Sequence, residues 1–397
     1  MKVGVFLDEY IPEDGGGYTF QAEVLYALLR LASESEHEFV LVSSQTKELA
    51  EQIAGSPVDL LSFKGPSFFE KITAFLTRNW PNLHNRLRWE SSLEKRLRHE
   101  GIDFVWFLSP RAQDIDLPYM TIVLDLQHRL QPWFPEVSRW GQWLIRERGF
   151  GRTLRRAAAI IAGNAAGQAE IERFYQVPAE RIHLLPHPTP AYALAAAKKK
   201  AAASLLDRYA LPKGYLLYPA QFWPHKNHVN LLLALKQLKE EGLEVPLVLA
   251  GADYGNQEYV EDTIIELGLG TQVHMLGFVP QDELVGLYQN ALALSYLTLF
   301  GPENLPPLEA FALGTPVLAS AVSGAEEQLG DAALLVDPLD PAAIAAAIKK
   351  LHSDKDLRAK LVKRGKARAA EWAIDDFVRG AFQVLDNFAP LRRTWRD

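Results

Sequence analysis

Cysteine is absent from the 397 residues of this chain, which excludes disulfides, thiolate zinc sites and a cysteine nucleophile. Long apolar runs are absent too, since none reaches the ~18 residues that a membrane span needs. An excess of positive charge is absent as well: there are 42 lysines and arginines against 49 aspartates and glutamates. The resulting net charge of −7 argues against nucleic-acid binding as the main activity. The chain opens on an apolar strand without a signal-peptide core. We therefore expect a cytoplasmic protein, at most peripheral at the inner face of a membrane.

The chain does contain a regular alternation of apolar strand-length runs and helical stretches. This pattern predicts an α/β fold, with helices on both faces of parallel sheets. The length suggests about two or three domains. A proline-rich break at 186–190 and the Ala/Lys run after it divide the chain into a domain over 1–190, a linker over 191–205 and a domain from 206. We expect a doubly wound sheet in each domain and a ligand site between them, beyond the carboxyl ends of the strands.

Eleven runs are predicted to be strands. In the first domain they are Val3–Leu7, Phe39–Ser43, Phe104–Leu108, Thr121–Leu126 and Ala159–Gly163. In the second domain they are Gly214–Tyr218, Pro246–Ala250, Val273–Leu276, Ala291–Tyr296, Pro316–Ser320 and Ala332–Val336.

The segment Phe300–Ser320 predicts a turn, a helix opened by prolines and a short strand. Pro306 and Pro307 suit a first helical turn, where backbone N–H groups lack internal partners. Such a helix start favours an anion such as phosphate. Glu309, one turn further on, is placed to accept hydrogen bonds from hydroxyls of the phosphate's carrier. An ordinary helix start with a solvated glutamate is the alternative.

Lys226 lies between a predicted strand and the predicted helix Val229–Glu240. A lysine at a helix N-terminus opposes the helix dipole unless an anion is shared between them. This position makes Lys226 a candidate diphosphate ligand, with a solvated loop lysine as the alternative.

Three consecutive glycines, Gly15, Gly16 and Gly17, follow the first strand and precede a predicted helix. They allow the backbone to approach a ligand closely, although the spacing is not that of a dinucleotide fingerprint. A flexible turn is an equal alternative.

Asp125 and His128 come directly after another predicted strand. Histidine can serve as a general acid or base, or bind a hydroxyl. Loop residues with structural hydrogen bonds are the alternative for this pair.

Asp114 and Asp116 form an Asp-x-Asp pair without supporting ligands nearby, so we do not predict a metal there. Two stretches, 64–98 and 139–156, combine arginines and lysines with tryptophans and phenylalanines. They suit contact with anionic lipid or an anionic acceptor, with solvated helix faces as the alternative.

Taken in order, these motifs resemble the retaining glycosyltransferases of family four, which have the GT-B fold of two Rossmann-like domains. The similarity covers nearly the whole chain and is strongest over 214–337. The residues that carry it are Gly15 to Gly17, Lys226-Asn227, Gly251, Leu276-Gly277-Phe278, Leu305 to Ala310 and Gly314 to Val317.

The resemblance implies retaining transfer of a sugar from a UDP-, GDP- or dTDP-linked donor to a saccharide, glycolipid or small acceptor, with no metal and no cofactor. It implies an acceptor-binding first domain, a donor-binding second domain over 206–373, and a last segment, 374–397, whose helix crosses back to the first domain. The implied catalytic residues are Asp125, His128, Lys226 and Glu309. The implied donor-binding residues are Gly15, Gly16, Gly17, Gln221, Lys226, Gly251, Phe278, Val279, Glu303, Asn304, Leu305 and Glu309.

Within this set the resemblance assigns separate roles. Lys226 and the N–H groups near Asn304 and Leu305 would hold the diphosphate. Glu309 would bind the ribose, the chain at Phe278-Val279 would line the base, and the first domain's Asp125 or His128 would contact the transferred sugar.

The sequence departs from the family pattern at two positions. Where the family has a first glutamate, this chain has Gly301, with Glu303 out of register. Where the family has an arginine before the lysine, it has Gln221. Glu303 or Asn304 would then hold the donor sugar differently. A non-catalytic nucleotide-sugar-binding subunit, and an epimerase or hydrolase on the same fold, are the alternative functions.

Overall fold

A computed structural model describes residues 1–7, 16–63, 72, 90–110, 112–113, 115–198 and 204–395 of the chain. Within these residues two parallel sheets, each flanked by helices, are formed by successive parts of the chain.

The first sheet has seven strands in the order β3-β2-β1-β4-β5-β6-β7, and all neighbouring strands are parallel. Most of these strands are buried apolar runs, as expected for a sheet covered on both faces. The strands are β1 (Lys2–Phe6), β2 (Glu38–Ser43), β3 (Asp59–Ser62), β4 (Phe104–Phe107), β5 (Tyr119–Val123), β6 (Ala159–Ala162) and β7 (Ile182–Leu184).

Seven described helices accompany this sheet. They are α1 (Gly16–Leu31), α2 (Thr46–Ile53), α3 (Ser92–His99), α4 (Gln127–Leu130), α5 (Pro135–Ser138), α6 (Gln142–Arg156) and α7 (Ala165–Tyr175).

The second sheet has six parallel strands in the order β10-β9-β8-β11-β12-β13. The strands are β8 (Leu216–Pro219), β9 (Leu247–Ala250), β10 (Val273–Met275), β11 (Ala293–Tyr296), β12 (Val317–Ser320) and β13 (Ala333–Val336). The strand order reverses between β8 and β11, as it does between β1 and β4 in the first sheet. Such reversals leave a crevice at the carboxyl ends of the strands, where ligands bind.

Ten further helices lie between and after these strands. They are α8 (Ala191–Ala196), α9 (Ser204–Arg208), α10 (His228–Glu240), α11 (Gln257–Glu266), α12 (Gln281–Asn290), α13 (Leu305–Leu313), α14 (Ala325–Leu329), α15 (Pro341–Ser353), α16 (Lys355–Ala369) and α17 (Ile374–Arg392).

The last helix, α17, packs against the first domain although it follows the second in sequence. Phe377 meets Phe20 of α1 edge-on, with ring centroids 5.2 Å apart. Phe382 stacks on Phe39 of β2 at 5.1 Å. The helix therefore contributes apolar side chains to the core of the first domain.

Candidate active site

Lys226 lies beyond the carboxyl end of β8, where the strand order of the second sheet reverses. It ends a short 3-10 turn, Pro224–Lys226, that follows β8. Its Nζ lies 2.8 Å from the hydroxyl of Tyr296, the last residue of β11. The ammonium group also lies 5.1 Å from the centre of the tyrosine ring, a cation–π distance. Because β8 and β11 are neighbours, this contact holds a positive charge at the carboxyl ends of both strands.

The backbone around Lys226 is held by hydrogen bonds to the loops that follow β11 and β13. The Asn227 amide donates to the carbonyls of Leu297, at 3.0 Å, and Pro338, at 2.7 Å. The His225 carbonyl accepts the N–H of Leu299 at 2.7 Å. Lys226 is thus carried by a turn that three hydrogen bonds attach to the neighbouring loops.

His228 does not add charge to this turn. Its ring is buried between Phe222 and Tyr218, with centroids 4.8 Å apart in each pair. Burial lowers the pKa of His228 to about 3, so the imidazole is neutral near pH 7.

The N-terminus of α13 begins at Leu305 and has Pro306 and Pro307 in its first turn, as predicted. The N–H of Asn304 donates to Gln328 Oε1 at 3.0 Å, and the Asn304 side chain donates to the Gly301 carbonyl. The prolines have no N–H groups. The sequence predicts that the backbone N–H groups near Asn304 and Leu305 bind an anion. The N–H of Asn304 is already hydrogen-bonded to Gln328, so Leu305 supplies the N–H group of the first helical turn.

Glu309 lies one turn inside α13 and is 8% exposed. Its carboxylate accepts a 2.6 Å hydrogen bond from the Tyr288 hydroxyl and a second one from Tyr192. Burial raises its pKa, and the two tyrosine hydrogen bonds oppose that shift. Two protein hydroxyls thus occupy the carboxylate for which the sequence predicts ribose hydroxyls as partners.

Glu303 is committed to the contact between the two domains. Its carboxylate accepts the N–H of His187 and meets His187 Nδ1, both at 2.8 Å. It lies against Gly163, where an added Cβ would come within 1.3 Å of Glu303 Oε2. In this arrangement Glu303 is not open to the donor sugar, contrary to the role that the sequence suggested for it.

Gly301 and Gly251 both occur where a side chain does not fit. Gly301 has φ of 118°, in the region that favours glycine. An added Cβ at Gly251 would lie 2.1 Å from the carbonyl oxygen of Ala220. Gly301 therefore cannot be exchanged for the family's glutamate without a change in the backbone.

Asp125 and His128 differ in accessibility. Asp125 is partly exposed, accepts the N–H of Gln127 at 3.0 Å and pairs with Arg146 at 3.2 Å. His128 is fully buried, and its Nε2 lies 3.1 Å from the Tyr175 hydroxyl. Burial lowers the pKa of His128. Of the two, Asp125 is the residue with surface to offer a ligand.

The other predicted donor ligands are described only in part. Gly15 lies outside the described residues, and Gly16 and Gly17 are the first residues of α1. Phe278 is 77% exposed and offers a free aromatic face, whereas Val279 is buried. Gln221 accepts the indole N–H of Trp223 at 3.1 Å.

The Asp114/Asp116 pair and the basic stretch 64–98 lie only partly within the described residues. Asp116 pairs with Arg156, and Asp114 lies outside the described residues. Among the residues that the structure describes, no group of three or more acidic or histidine side chains could hold a metal ion. Of the stretch 64–98, only residues 72 and 90–98 are described. In the described ranges no helix is long and apolar enough to cross a membrane.

Several side chains at this site were not predicted from the sequence. Tyr296, Tyr288, Tyr192 and His187 reach their partners from positions 21 to 117 residues away. The one available signal was the tyrosine at the end of a predicted strand, since strand ends line such crevices.

The described second domain matches a known family. Residues 209–368 match the family model of "Glycosyl transferases group 1". The chain is 31% identical over 239 residues to "O-antigen chain mannosyltransferase B" of Escherichia coli, and the aligned region covers 57% of this chain and 60% of the relative. It is 31% identical over 144 residues to "O-antigen chain mannosyltransferase RfbU" of Salmonella typhimurium, which covers 36% and 40%. The chain thus spans less than two thirds of each of these relatives.

Solved structures resemble the whole chain. Sucrose-phosphate synthase of Thermosynechococcus elongatus has a TM-score of 0.72 at 19% identity, over 98% of this chain and 100% of its own. HepE of Anabaena, solved in complex with UDP and glucose, has a TM-score of 0.70 at 17% identity, with the same coverage. At these identities the likeness shows the fold, and the predicted GT-B architecture is confirmed.

Proposed function

We propose that the protein is a retaining glycosyltransferase that uses a nucleotide-sugar donor, because residues 209–368 match the family model of the glycosyl transferases group 1. The observation that carries this proposal is the position of Lys226. Its ammonium group lies at the carboxyl ends of β8 and β11, beside the hydroxyl of Tyr296. A diphosphate bound in this crevice would meet a fixed positive charge where a nucleotide leaving group develops negative charge.

The start of α13 supports the same assignment. Its dipole and the N–H of Leu305 favour an anion at the helix N-terminus. Together with Lys226 they supply the positive potential that a metal ion supplies in other transferases, so we infer metal-independent transfer.

For the transferred sugar we propose mannose, because both relatives named above are mannosyltransferases. Their names also refer to the O-antigen chain, which favours a saccharide acceptor and a role in polysaccharide biosynthesis. Phe278, with its exposed ring, would stack on the nucleotide base. Glu309 would bind the ribose if one of its tyrosine partners moved aside, and Asp125 would face the transferred sugar from the first domain.

The test is a donor screen on the full chain. The protein is incubated with GDP-mannose, UDP-glucose, UDP-N-acetylglucosamine and dTDP-rhamnose, with and without mannose-containing oligosaccharides. Release of nucleoside diphosphate and the mass of the product are measured, and the anomeric configuration of the product is determined by NMR. We expect transfer from one donor with retention. Neither binding nor turnover with any donor would overturn the proposal.

We also infer that the first domain touches an anionic membrane surface near the site, which would bring a lipid-linked acceptor within reach. Residues 139–145 are all exposed, with Trp140 at 93% and Ile145 at 62%, and Trp143 and Leu144 lie between them. The helix α6 that begins here is linked to the candidate site through the pair of Arg146 with Asp125. Exposed tryptophans beside arginines are typical of surfaces that lie on anionic lipid.

Vesicle flotation tests this surface. We expect binding to phosphatidylglycerol vesicles that weakens with salt, and weaker binding by the Trp140→Ala/Ile145→Ala variant. The exposed Ile265→Ala variant in the second domain is the control. The absence of binding, or binding that is insensitive to both salt and the double variant, would contradict the inference.

A non-catalytic nucleotide-sugar-binding subunit is the second candidate. It is favoured by Gly301 at the family's glutamate position and by the engagement of Glu303 with His187. Calorimetric binding of a nucleotide sugar without turnover, across all acceptors tested, would decide in its favour.

A further inference from the structure

Glu136 of the first domain holds the turn that carries Lys226. Glu136 lies in α5, and its Oε1 accepts the backbone N–H of His225 at 3.0 Å. The same oxygen is hydrogen-bonded to His225 Nδ1. Both side chains are nearly buried. A single carboxylate from one domain thus fixes the residue directly before Lys226 in the other.

Two further contacts from the same segment of the first domain reinforce this attachment. The Gln131 amide donates to the Leu299 carbonyl at 3.1 Å. Phe134 meets Phe300 edge-on at 5.3 Å, and Phe300 stacks on the His225 ring at 4.0 Å. Residues 131–136 therefore contact both the turn 224–226, which carries Lys226, and the loop at 299–300 that follows β11.

At this contact the His225 ring is neutral and the Glu136 carboxylate is ionised. Burial lowers the pKa of His225 to about 4, so its neutral ring donates through Nδ1. Burial raises the pKa of Glu136, but the hydrogen bonds from His225 outweigh it and leave the pKa below its usual value. Glu136 is thus ionised, and its Oε2 is buried without a hydrogen-bond partner among the described residues.

We propose that Glu136 is a positioning residue for the donor diphosphate: it orients Lys226 through His225 across the domain interface. Donor binding then depends on contact between the two domains, because the lysine turn is complete only when α5 is docked on it. This inference rests on the proposed function.

A double-mutant cycle on the full chain tests the inference. The Kd values of GDP and UDP are measured by calorimetry for the wild type, Glu136→Ala, Lys226→Ala and the double variant. We expect Glu136→Ala to weaken nucleotide binding about ten-fold in the wild type, and less than about two-fold in the Lys226→Ala background. A general loss of folding would instead weaken binding equally in both backgrounds.

Two further variants sharpen the test. Glu136→Gln keeps an oxygen that can accept from His225, so we expect it to bind nucleotide more tightly than Glu136→Ala does; it also serves if the alanine variant does not fold. Glu172→Ala, at an exposed glutamate of α7, is the matched control and should bind as the wild type does. Equal losses in both backgrounds, or no loss from Glu136→Ala, would overturn the positioning role and leave the proposed function intact. If the wild type bound neither of these nucleotides nor any donor of the screen, the proposed function would fail as well.

Discussion

The Nζ of Lys226 and the hydroxyl of Tyr296 lie 2.8 Å apart, although 70 residues separate them in the chain. The two residues follow β8 and end β11, which are adjacent in the second sheet. The tyrosine hydroxyl accepts a hydrogen bond from the ammonium group and so limits where it can point. This relationship turns a loop lysine into a fixed positive charge.

Replacing Tyr296 with phenylalanine should weaken nucleotide binding. The ring would remain for the cation–π contact, but the hydroxyl acceptor would be lost. A hydrogen bond to a charged group contributes about 1.5–3 kcal/mol, and part of that would be recovered from water, so we expect a Kd for GDP or UDP roughly three- to ten-fold higher. Calorimetry measures this, with the exposed Tyr259→Phe as the control. An unchanged Kd would show that the contact does not position Lys226.

Replacing Gly163 with alanine should reduce transfer more than ten-fold, because the new methyl group would occupy the place of the Glu303 carboxylate. The carboxylate would have to leave His187, and this one of the contacts between the domains would be lost. Initial rates of donor turnover measure the effect. Gly151→Ala, a helix position with open space around it, is the matched control. Equal rates for both variants would contradict the role of this contact.

Glu23 should make the protein less stable as the pH rises. Burial raises its pKa from 4.5 to about 7, and it accepts the N–H of Ala191 at 2.7 Å. Between pH 4.5 and 7 the unfolded chain loses this proton while the folded protein keeps it, so the free energy of unfolding falls as pH rises.

The Glu23→Gln variant removes this proton and keeps an oxygen that can accept from Ala191. Relative to the wild type it should gain about 2 kcal/mol in the free energy of unfolding between pH 5 and pH 8. Urea unfolding of both proteins at the two pH values measures the gain. A difference between variant and wild type that does not change with pH would contradict the assignment.

Chelation should leave the proposed transfer reaction unchanged. Lys226 and the start of α13 provide the positive potential that the diphosphate needs, so no step requires a divalent ion. Initial rates are compared after dialysis against EDTA and after addition of Mg²⁺ or Mn²⁺. A loss of rate with EDTA that either ion restores would contradict the metal-independent mechanism.

The strands of both sheets were largely predictable, because central parallel strands are short apolar runs bounded by loops. The run Ala159–Gly163 was predicted and Ala159–Ala162 is the strand; Pro316–Ser320 was predicted and Val317–Ser320 is the strand. The edge strands Asp59–Ser62 and Ile182–Leu184 were not predicted. Each contains exposed positions, so neither forms a continuous apolar run.

The site was predictable only where the position of a residue follows from the strand or helix next to it in the sequence. The prolines of α13 and the position of Lys226 follow from local signals at strand and helix ends. The attachment of Glu303 to His187 and the burial of His128 behind Tyr175 could not be predicted, because both depend on how distant segments pack. The sequence could identify a candidate side chain, but it could not identify the distant residue to which that side chain is hydrogen-bonded in the fold.

Nucleotide affinity of the Lys226→Ala variant tests the central claim most directly. Calorimetry with GDP, UDP and the donor found in the screen is carried out on the wild type, Lys226→Ala and Lys360→Ala. The control lysine is exposed on α16, in the same domain. Loss of one charge-assisted contact should raise the Kd of the nucleotide about 10- to 100-fold for Lys226→Ala, with Lys360→Ala unchanged. Equal affinities for all three proteins would contradict the assignment of this crevice as the donor site.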